Sequence, residues 1–502
     1  MGNLQNLLGF EETSALKGTA GTADRRALSA IRRNTFAIAG VRFGSFALDG
    51  VAYLITARYL GPATYGTYLS LIAFTALMDV AGDMSLMDIT VREMSHEDRP
   101  AGRILGAATT LRACFSLFGL SAYIGYVWWS RFTGETLLAA WIAGLSLAIG
   151  AFRMPLALFR ARLKMHFELG IVIAARVANL LIVGGLIAAH GRLSGFLGAA
   201  LASRTLLALL AWTATYTFFK TKVSFVRAEC HDLLLKSAPL AFAGVLVAVQ
   251  LKGDILLVSR QLGAMSAGLY GVIAQIAEYS LYIPVIITTP VLPVLSRAYS
   301  RFDLTRFYGF YQKLFETTFA VALPITLVLA LRAHQSIALV FGSKYDAAAG
   351  LLPLLALAMF AMWISHIVAI AAVASALQTH FIWIQSICAA TYLGLDVILI
   401  PRTGLSSAVI VRVATCALAA ALTYSVVRRY TGARLHVSAV AKPLIAGIVM
   451  TAIDRTCAWL PLLVALPVAA IVYLSTLRAL QTILPLNKHL DKYVSDCSRC
   501  NL

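Results

Sequence analysis

The stretch ARYLGPATYGTY, residues 57–68, carries the pattern R-x-L-G-x4-G-x-Y on Arg58, Leu60, Gly61, Gly66 and Tyr68. SRQLGAMSAGLY, residues 259–270, repeats it on Arg260, Leu262, Gly263, Gly268 and Tyr270, with every spacing kept and an offset of 202 residues. A long apolar run precedes each copy and another follows. A six-helix unit present twice is a common plan for transporters, because two related lobes rock about a site held between them. Gly61 and Gly66 bracket a short external turn, where glycine permits positive φ or close helix approach. Arg58 and Arg260, beside Tyr68 and Tyr270, are expected at the outer interface as anchors, with a gate as the alternative.

Composition fixes the solvent. The chain is 60% hydrophobic and 13% charged over 502 residues, with a mean hydropathy of +0.80. Soluble domains have roughly 45–50% apolar and about 25% charged residues. The excess runs the whole length, so the chain is a polytopic membrane protein. A net charge of +19 would suggest nucleic acid in a soluble protein. In a membrane protein it reads instead as Lys and Arg gathered in cytoplasmic loops beside anionic lipid, and no nucleic-acid partner is expected.

Windows of about 20 apolar residues give fourteen spans, near 35–57, 65–90, 104–127, 136–158, 169–189, 195–218, 234–258, 266–292, 314–331, 348–374, 380–400, 404–427, 438–454 and 458–478. Pro324, Pro461 and Pro467 interrupt the ninth and the last pair, so twelve spans is the alternative. The expected fold is all-α: two six-helix lobes plus two C-terminal helices. The expected division is a tail at 1–34, a first lobe at 35–220, a charged linker at 221–236, a second lobe at 237–430, an appended helix pair at 431–480 and a tail at 481–502. Of the 42 Lys and Arg, only Arg58, Arg131, Arg192, Arg260, Arg332, Lys344, Arg402 and Arg455 fall on the loops of one side. The positive-inside bias then places both termini in the cytoplasm. Residues 1–30 contain Glu11, Glu12 and Asp24 and read as no signal peptide, so the first span is expected to direct insertion.

The stretch from Ala57 to Glu93 resembles the opening of the polysaccharide-exporter branch of the multidrug/oligosaccharidyl-lipid/polysaccharide superfamily. Asp254, Gly263, Gly268, Tyr270, Glu278 and the run Pro290 to Ser296 follow in that family's order, as do Phe341 to Tyr345 and Ile400 to Gly404. The resemblance covers about residues 35–430. Met265, Ser266 and Ala267 lack the acidic residues common there. It implies a Wzx-type flippase in the bacterial inner membrane, carrying undecaprenyl-pyrophosphate-linked oligosaccharides from the cytoplasmic to the periplasmic leaflet for O-antigen, capsule or exopolysaccharide. Expected partners are the lipid-linked cargo, membrane lipids, and the polymerase and glycosyltransferases of that pathway; no cofactor is expected.

Such a cargo has an apolar tail that stays in lipid and a pyrophosphate-sugar head that does not. A charge at the bilayer centre costs at least ~2.5–3.5 kcal/mol, so intramembrane cations are functional hypotheses by default. Six qualify as candidate substrate-binding residues: Arg42, Arg112, Arg176, Arg204, Lys252 and Arg412. Arg42, Ser45, Asp49, Tyr53 and Thr56 recur at helical spacing and form one polar face of the first span. Thr109, Arg112 and Ser116 share another, and Arg176 lies one turn from Asn179. Arg holds a diphosphate through bidentate bonds; the alternatives are interhelical pairs or snorkelling.

Asp49, Asp254, Glu278 and Asp396 are candidates for ion coupling, since a carboxyl tuned by burial and by neighbouring cations loads and releases a proton. The simpler alternative is charge neutralisation across helices, which is the expectation for Asp79, Asp83 and Asp88. His366 reads as a hydrogen-bonded core residue. Cys497 and Cys500 make a lone C-x-x-C, too few ligands for a zinc site, and no metal is expected. Two other functions are weighed. A drug or cation exporter of the same architecture disagrees with a cationic interior. A membrane glycosyltransferase or ligase needs a large external loop or an external carboxylate pair, whereas Glu135 and Asp346 are isolated. The chain is accordingly expected not to be an enzyme.

Overall fold

A computed structural model describes residues 22–83, 85–95, 100–221, 223–436, 440–457 and 459–483, leaving aside the side chains of 22–43, 239, 240, 243 and 481–483. Among the described residues the fold is helical throughout, without strands. The two copies of the repeated phrase sit at equivalent breaks in two long helices. α1 (Thr22–Asp83) is interrupted at Gly61, with φ 73° and ψ 170°. α8 (Arg227–Ser280) is interrupted at Gly263, with φ 86° and ψ 172°. Left-handed φ is open to glycine at little cost, and at both points the chain folds back. Tyr53 and Tyr68 would be about 22 Å apart along a straight helix, yet their ring centroids lie 6.3 Å apart.

After its folded-back pair, the first half continues through a short amphipathic helix, α2 (Leu86–Met94), then α3 (Ala101–Ser130) and α4 (Gly134–Gly150). A 3-10 turn at Ala151–Arg153 joins α4 to α5 (Leu156–Ala161), and α6 (Met165–Ala188) and α7 (Leu193–Thr217) follow. The second half repeats the plan after α8. It runs through α9 (Tyr282–Thr288), a second short amphipathic helix α10 (Leu292–Ser300), α11 (Leu304–Leu331) and α12 (Ala333–Val340). A 3-10 segment at Ser343–Leu351 then leads to α13 (Leu352–Ala374), α14 (Gln378–Thr403) and α15 (Leu405–Thr431), and α16 (Ala441–Thr456) and α17 (Leu462–Ile483) complete the chain.

Among the described residues, eleven helical stretches are long and apolar enough to cross a bilayer by length and composition. Two of them, Gly44–Met94 and Gly244–Thr288, contain the folded-back arms. The number fourteen does not follow from these helices, because the span expected at 438–454 is α16, only 16 residues long. α16 and α17 pack on α11. There Arg332 of the α11–α12 junction holds Asp454 of α16 at 2.9 Å, with both side chains under 9% exposed.

The two halves meet along α1 and α8, and the glycines of the phrase explain how closely. A Cβ on Gly66 would lie well inside 3.0 Å of the Ala264 carbonyl oxygen, and one on Gly268 equally close to the Pro62 carbonyl oxygen. Backbone therefore touches backbone, reciprocally, at the two turns. Polar bonds cross the same seam. Tyr65 Oη donates to Gln275 Oε1 at 2.8 Å, Ser70 Oγ to Ser259 Oγ at 2.7 Å, and Tyr345 Oη to the Ala57 carbonyl at 2.8 Å.

The arginines of the phrase also bridge the halves. Arg58 Nε donates to the Val340 carbonyl at 2.7 Å and Nη2 to that of Leu339, so its charge caps the C-terminus of α12. The Arg260 guanidinium lies 4.5 Å over the ring of Trp129 in α3. Tyr68 and Tyr270 are buried at 7% and 0% exposure, so they are core residues instead of the interfacial anchors the sequence suggested.

Candidate functional site

Within the first half lies a small polar pocket of about 90 Å³. α1 contributes Asp49, Tyr53 and Thr56, the polar face expected from periodicity; α6 contributes Arg176 and Asn179; α7 contributes Ser203 and Arg204. Arg176 Nη1 stands 3.1 Å from Asp49 Oδ1. From the second half, Lys252 Nζ bonds Glu278 Oε2 at 2.6 Å. Tyr53 stands in the field of Asp49, Lys252, Arg176 and Arg204 together. Three candidate cations from both halves thus gather around one tyrosine, each about one-quarter to one-third exposed. Arg42 falls outside the described side chains.

Phe46 of α1 packs against Tyr279 at 4.7 Å and Tyr282 at 3.8 Å. At ~30 Å³ per water, 90 Å³ accommodates about three waters and no sugar.

The other two candidate cations lie elsewhere. Arg112 is 0% exposed and bonds both carboxylates expected to neutralise cations: Nη2 donates to Asp79 Oδ1, and Nη1 is 2.8 Å from Asp83 Oδ1. Arg412 is 2% exposed and donates to Asp254 Oδ2, which also accepts from Tyr270 Oη. Asp254 Oδ1 accepts from the Ile255 N–H at 2.8 Å. A separate cavity of about 220 Å³ in the second half touches Arg412, Tyr392, Gln250, Gln385 and His366. The His366 Nε2 pairs with Thr288 Oγ1 at 3.2 Å.

Asp396, one turn beyond Tyr392, is 0% exposed, and neither of its carboxyl oxygens has a hydrogen-bond partner. Asp49, Glu278 and Asp254 all have cationic partners. Among the described residues no group of three or more His, Cys, Asp and Glu is placed to hold a metal ion; Cys497 and Cys500 lie outside them. Outside the spans, Lys236 links the halves by bonding Glu93 of α2 at 3.0 Å. Its bonds to Asp232 and Glu93 raise its ammonium above the ordinary lysine value.

Sequence reasoning missed Arg153. Its Nη2 bonds Asp83 Oδ1 at 3.1 Å, and it arrives there because α4 breaks between Gly150 and Pro155. Proline lacks the N–H that would continue the helix, and AIGAFRMP, residues 148–155, held that signal.

No curated protein sequence matches the chain. Among solved structures, a lipid II flippase MurJ in an inward closed conformation is similar over 88% of this chain and 98% of its own, with a TM-score of 0.72 and 16% identity. An inward-facing multidrug resistance MATE family transporter aligns with a TM-score of 0.64 and 14% identity over 77% of this chain and 94% of its own. A superfamily transporter from Pyrococcus furiosus gives 0.55 and 14% over 79% and 95%. At such identities these likenesses speak for the fold. The family model described as polysaccharide biosynthesis protein matches residues 55–350, more than half of the sequence. The chain belongs to the polysaccharide biosynthesis protein family.

Proposed function

We propose that this multi-pass membrane protein carries an undecaprenyl-pyrophosphate-linked oligosaccharide from the cytoplasmic to the periplasmic leaflet of the bacterial inner membrane, with both its termini cytoplasmic. The supporting observation is that Arg176 and Arg204 line the pocket around Tyr53, while Lys252 of the second half stands in the electrostatic field of the same tyrosine. Arg176 and Lys252 are each parked on a carboxylate, and a diphosphate exchanges for those carboxylates as the halves part. The lobe division at residues 221–236 and the role of Arg42 belong to this proposal. Arg112 and Arg412 orient the site from behind, since their charges are already matched by buried aspartates. The protein acts as a carrier and not as an enzyme.

Coupling is assigned to Asp396. Ionised, it would be an unpaired charge at membrane depth, which costs at least ~2.5–3.5 kcal/mol; protonated, it is a neutral acid beside Arg412 and Asp254. A drug-cation exporter would need exposed carboxylates free of cations, and Asp49 and Glu278 are paired.

The test is transport in proteoliposomes of a polyprenyl-diphosphate oligosaccharide against a cationic dye. Arg176→Glu and Lys252→Glu should each abolish oligosaccharide movement while insertion stays intact. Undiminished movement in both variants, or dye transport in place of it, would reject the proposal.

A further inference from the structure

Each half of the duplicated fold carries its own cavity, and the two have diverged in chemistry. The pocket of about 90 Å³ is walled by α1, α4, α6 and α7. The cavity of about 220 Å³ is walled chiefly by α8, α13, α14 and α15, the corresponding elements of the second half. At the 202-residue offset Leu251 stands where the first half has Asp49, and both line their cavities. The first lining holds Arg176 and Arg204. Among the described residues of the second lining, Arg412 is the one arginine or lysine.

Arg412 is not available to an anion. Its Nη2 donates to Asp254 Oδ2, and the two residues are 2% and 0% exposed. Lys252, two residues from Asp254, is bonded to Glu278, and Asp396 brings only a further acid. A negatively charged ligand therefore meets no surplus cation in this cavity.

It meets hydrogen-bond donors and acceptors side by side. Gln250 Nε2 donates to Gln385 Oε1 and to the Gln385 carbonyl, both at 3.1 Å. That pairing uses one end of each amide and leaves Gln250 Oε1 as an acceptor and Gln385 Nε2 as a donor. Both residues line the cavity and are half-buried, so a ligand can reach them. Ser365 adds a hydroxyl from α13. Tyr392 Oη is buried in the same wall without a hydrogen-bond partner, and buried polar groups normally have one. Leu251, Leu281, Met362 and Phe381 complete the lining with apolar surface. A few convergent polar groups on an apolar wall is the make-up of a small-molecule site.

A sugar ring fits this description. Each hydroxyl both donates and accepts, as the open ends of the two amides require, and the C–H faces of the ring are apolar. The 220 Å³ corresponds to about seven waters at ~30 Å³ each, roughly the room of one pyranose.

We propose that the second-half cavity binds one neutral sugar residue of the cargo, with Gln250 and Gln385 as its ligand-binding residues and no ionic contact. The site deepens the flippase proposal and rests on it for its biological role: the first half holds the diphosphate, and the second half reads a sugar attached to it.

Full-length protein in phosphatidylcholine nanodiscs, free of glycoside detergent, is titrated with neutral methyl glycosides of glucose, galactose, mannose, rhamnose and N-acetylglucosamine. Binding is read by saturation-transfer NMR, which detects weak ligands. Wild type should transfer saturation to at least one glycoside beyond empty nanodiscs, and sodium pyrophosphate should not displace it. Gln250→Leu/Gln385→Leu should weaken that binding about tenfold or more, as the loss of two hydrogen bonds implies. Exchanging both partners for apolar residues of similar size leaves no orphaned group, so its melting midpoint should stay near wild type. Ala369→Phe, which fills the cavity and keeps every polar group, should abolish binding.

Transfer to none of the glycosides, displacement by pyrophosphate, or equal binding by the Ala369→Phe variant overturns the site. Because no transport is measured, glycoside binding alongside a failed flipping assay would sink the flippase proposal and leave the cavity's ligand standing. Oligosaccharide flipping that is equal in wild type and Ala369→Phe would do the reverse.

Discussion

Replacing Gly66 by alanine should open the outer end of the protein without unfolding it. The new methyl would fall on the Ala264 carbonyl and the Gly268 backbone nitrogen of the opposite half, atoms that no rotamer change can move. Forced overpacking of this kind costs about 1–3 kcal/mol. Within its own helix the change is favourable, since alanine exceeds glycine by about 1 kcal/mol in helix propensity. The penalty therefore falls on the conformation in which the halves touch, and only there. It shifts the closed-to-open ratio about 5- to 150-fold.

The assay places a cysteine at Thr56, which is 1% exposed and lines the pocket, in a background with the seven native cysteines replaced. Its reaction with an impermeant thiol reagent added outside should accelerate by that ratio. Gly268→Ala should do the same, because its methyl would strike Pro62 reciprocally, whereas Gly125→Ala, with nothing within 4 Å, should not. Unchanged labelling in both seam variants would refute the view that this glycine contact holds the outer end shut.

Three other outcomes are expected. Asp396→Asn cannot release a proton, so transport should lose its response to an imposed pH gradient; a wild-type response would move coupling to another carboxyl. Asp454→Asn strands the buried Arg332 charge, and breaking such a pair costs about 3–5 kcal/mol. Because Arg332 keeps its bonds to the Cys457 and Leu460 carbonyls, the lower end applies, measured as a reduced melting midpoint and faster proteolysis between α15 and α16. A cysteine at Thr133, in the exposed α3–α4 turn, should react with an impermeant reagent from outside only, and labelling from the cytoplasmic side would invert the topology.

How much of the site was legible follows from what helical periodicity encodes. Asp49, Tyr53 and Thr56 were placed on one face of the first span by their spacing, and all three line the pocket. Spacing along one helix says nothing about the helix opposite. Arg112 and Arg176 look alike in sequence, each a lone arginine in an apolar span. Yet Arg112 is 0% exposed between Asp79 and Asp83 while Arg176 is 37% exposed beside the pocket. Tyr68 and Tyr270 were read as interfacial aromatics because they adjoin external turns. The folding back at Gly61 and Gly263 puts them inside instead.

By itself the sequence determined the solvent, the helical class and the duplication, because hydropathy and a 202-residue offset are properties of the chain read in order. It also marked the breaking points, since only glycine takes the φ of 73° and 86° found at residues 61 and 263 without strain. The tertiary structure decided which charges are matched. An ion pair depends on two side chains meeting within about 4 Å, and those partners lie tens to hundreds of residues apart, as Arg112 with Asp79 and Arg412 with Asp254 show. Only when the helices are packed does it emerge that Asp396 has no hydrogen-bond partner and that Arg153 reaches Asp83.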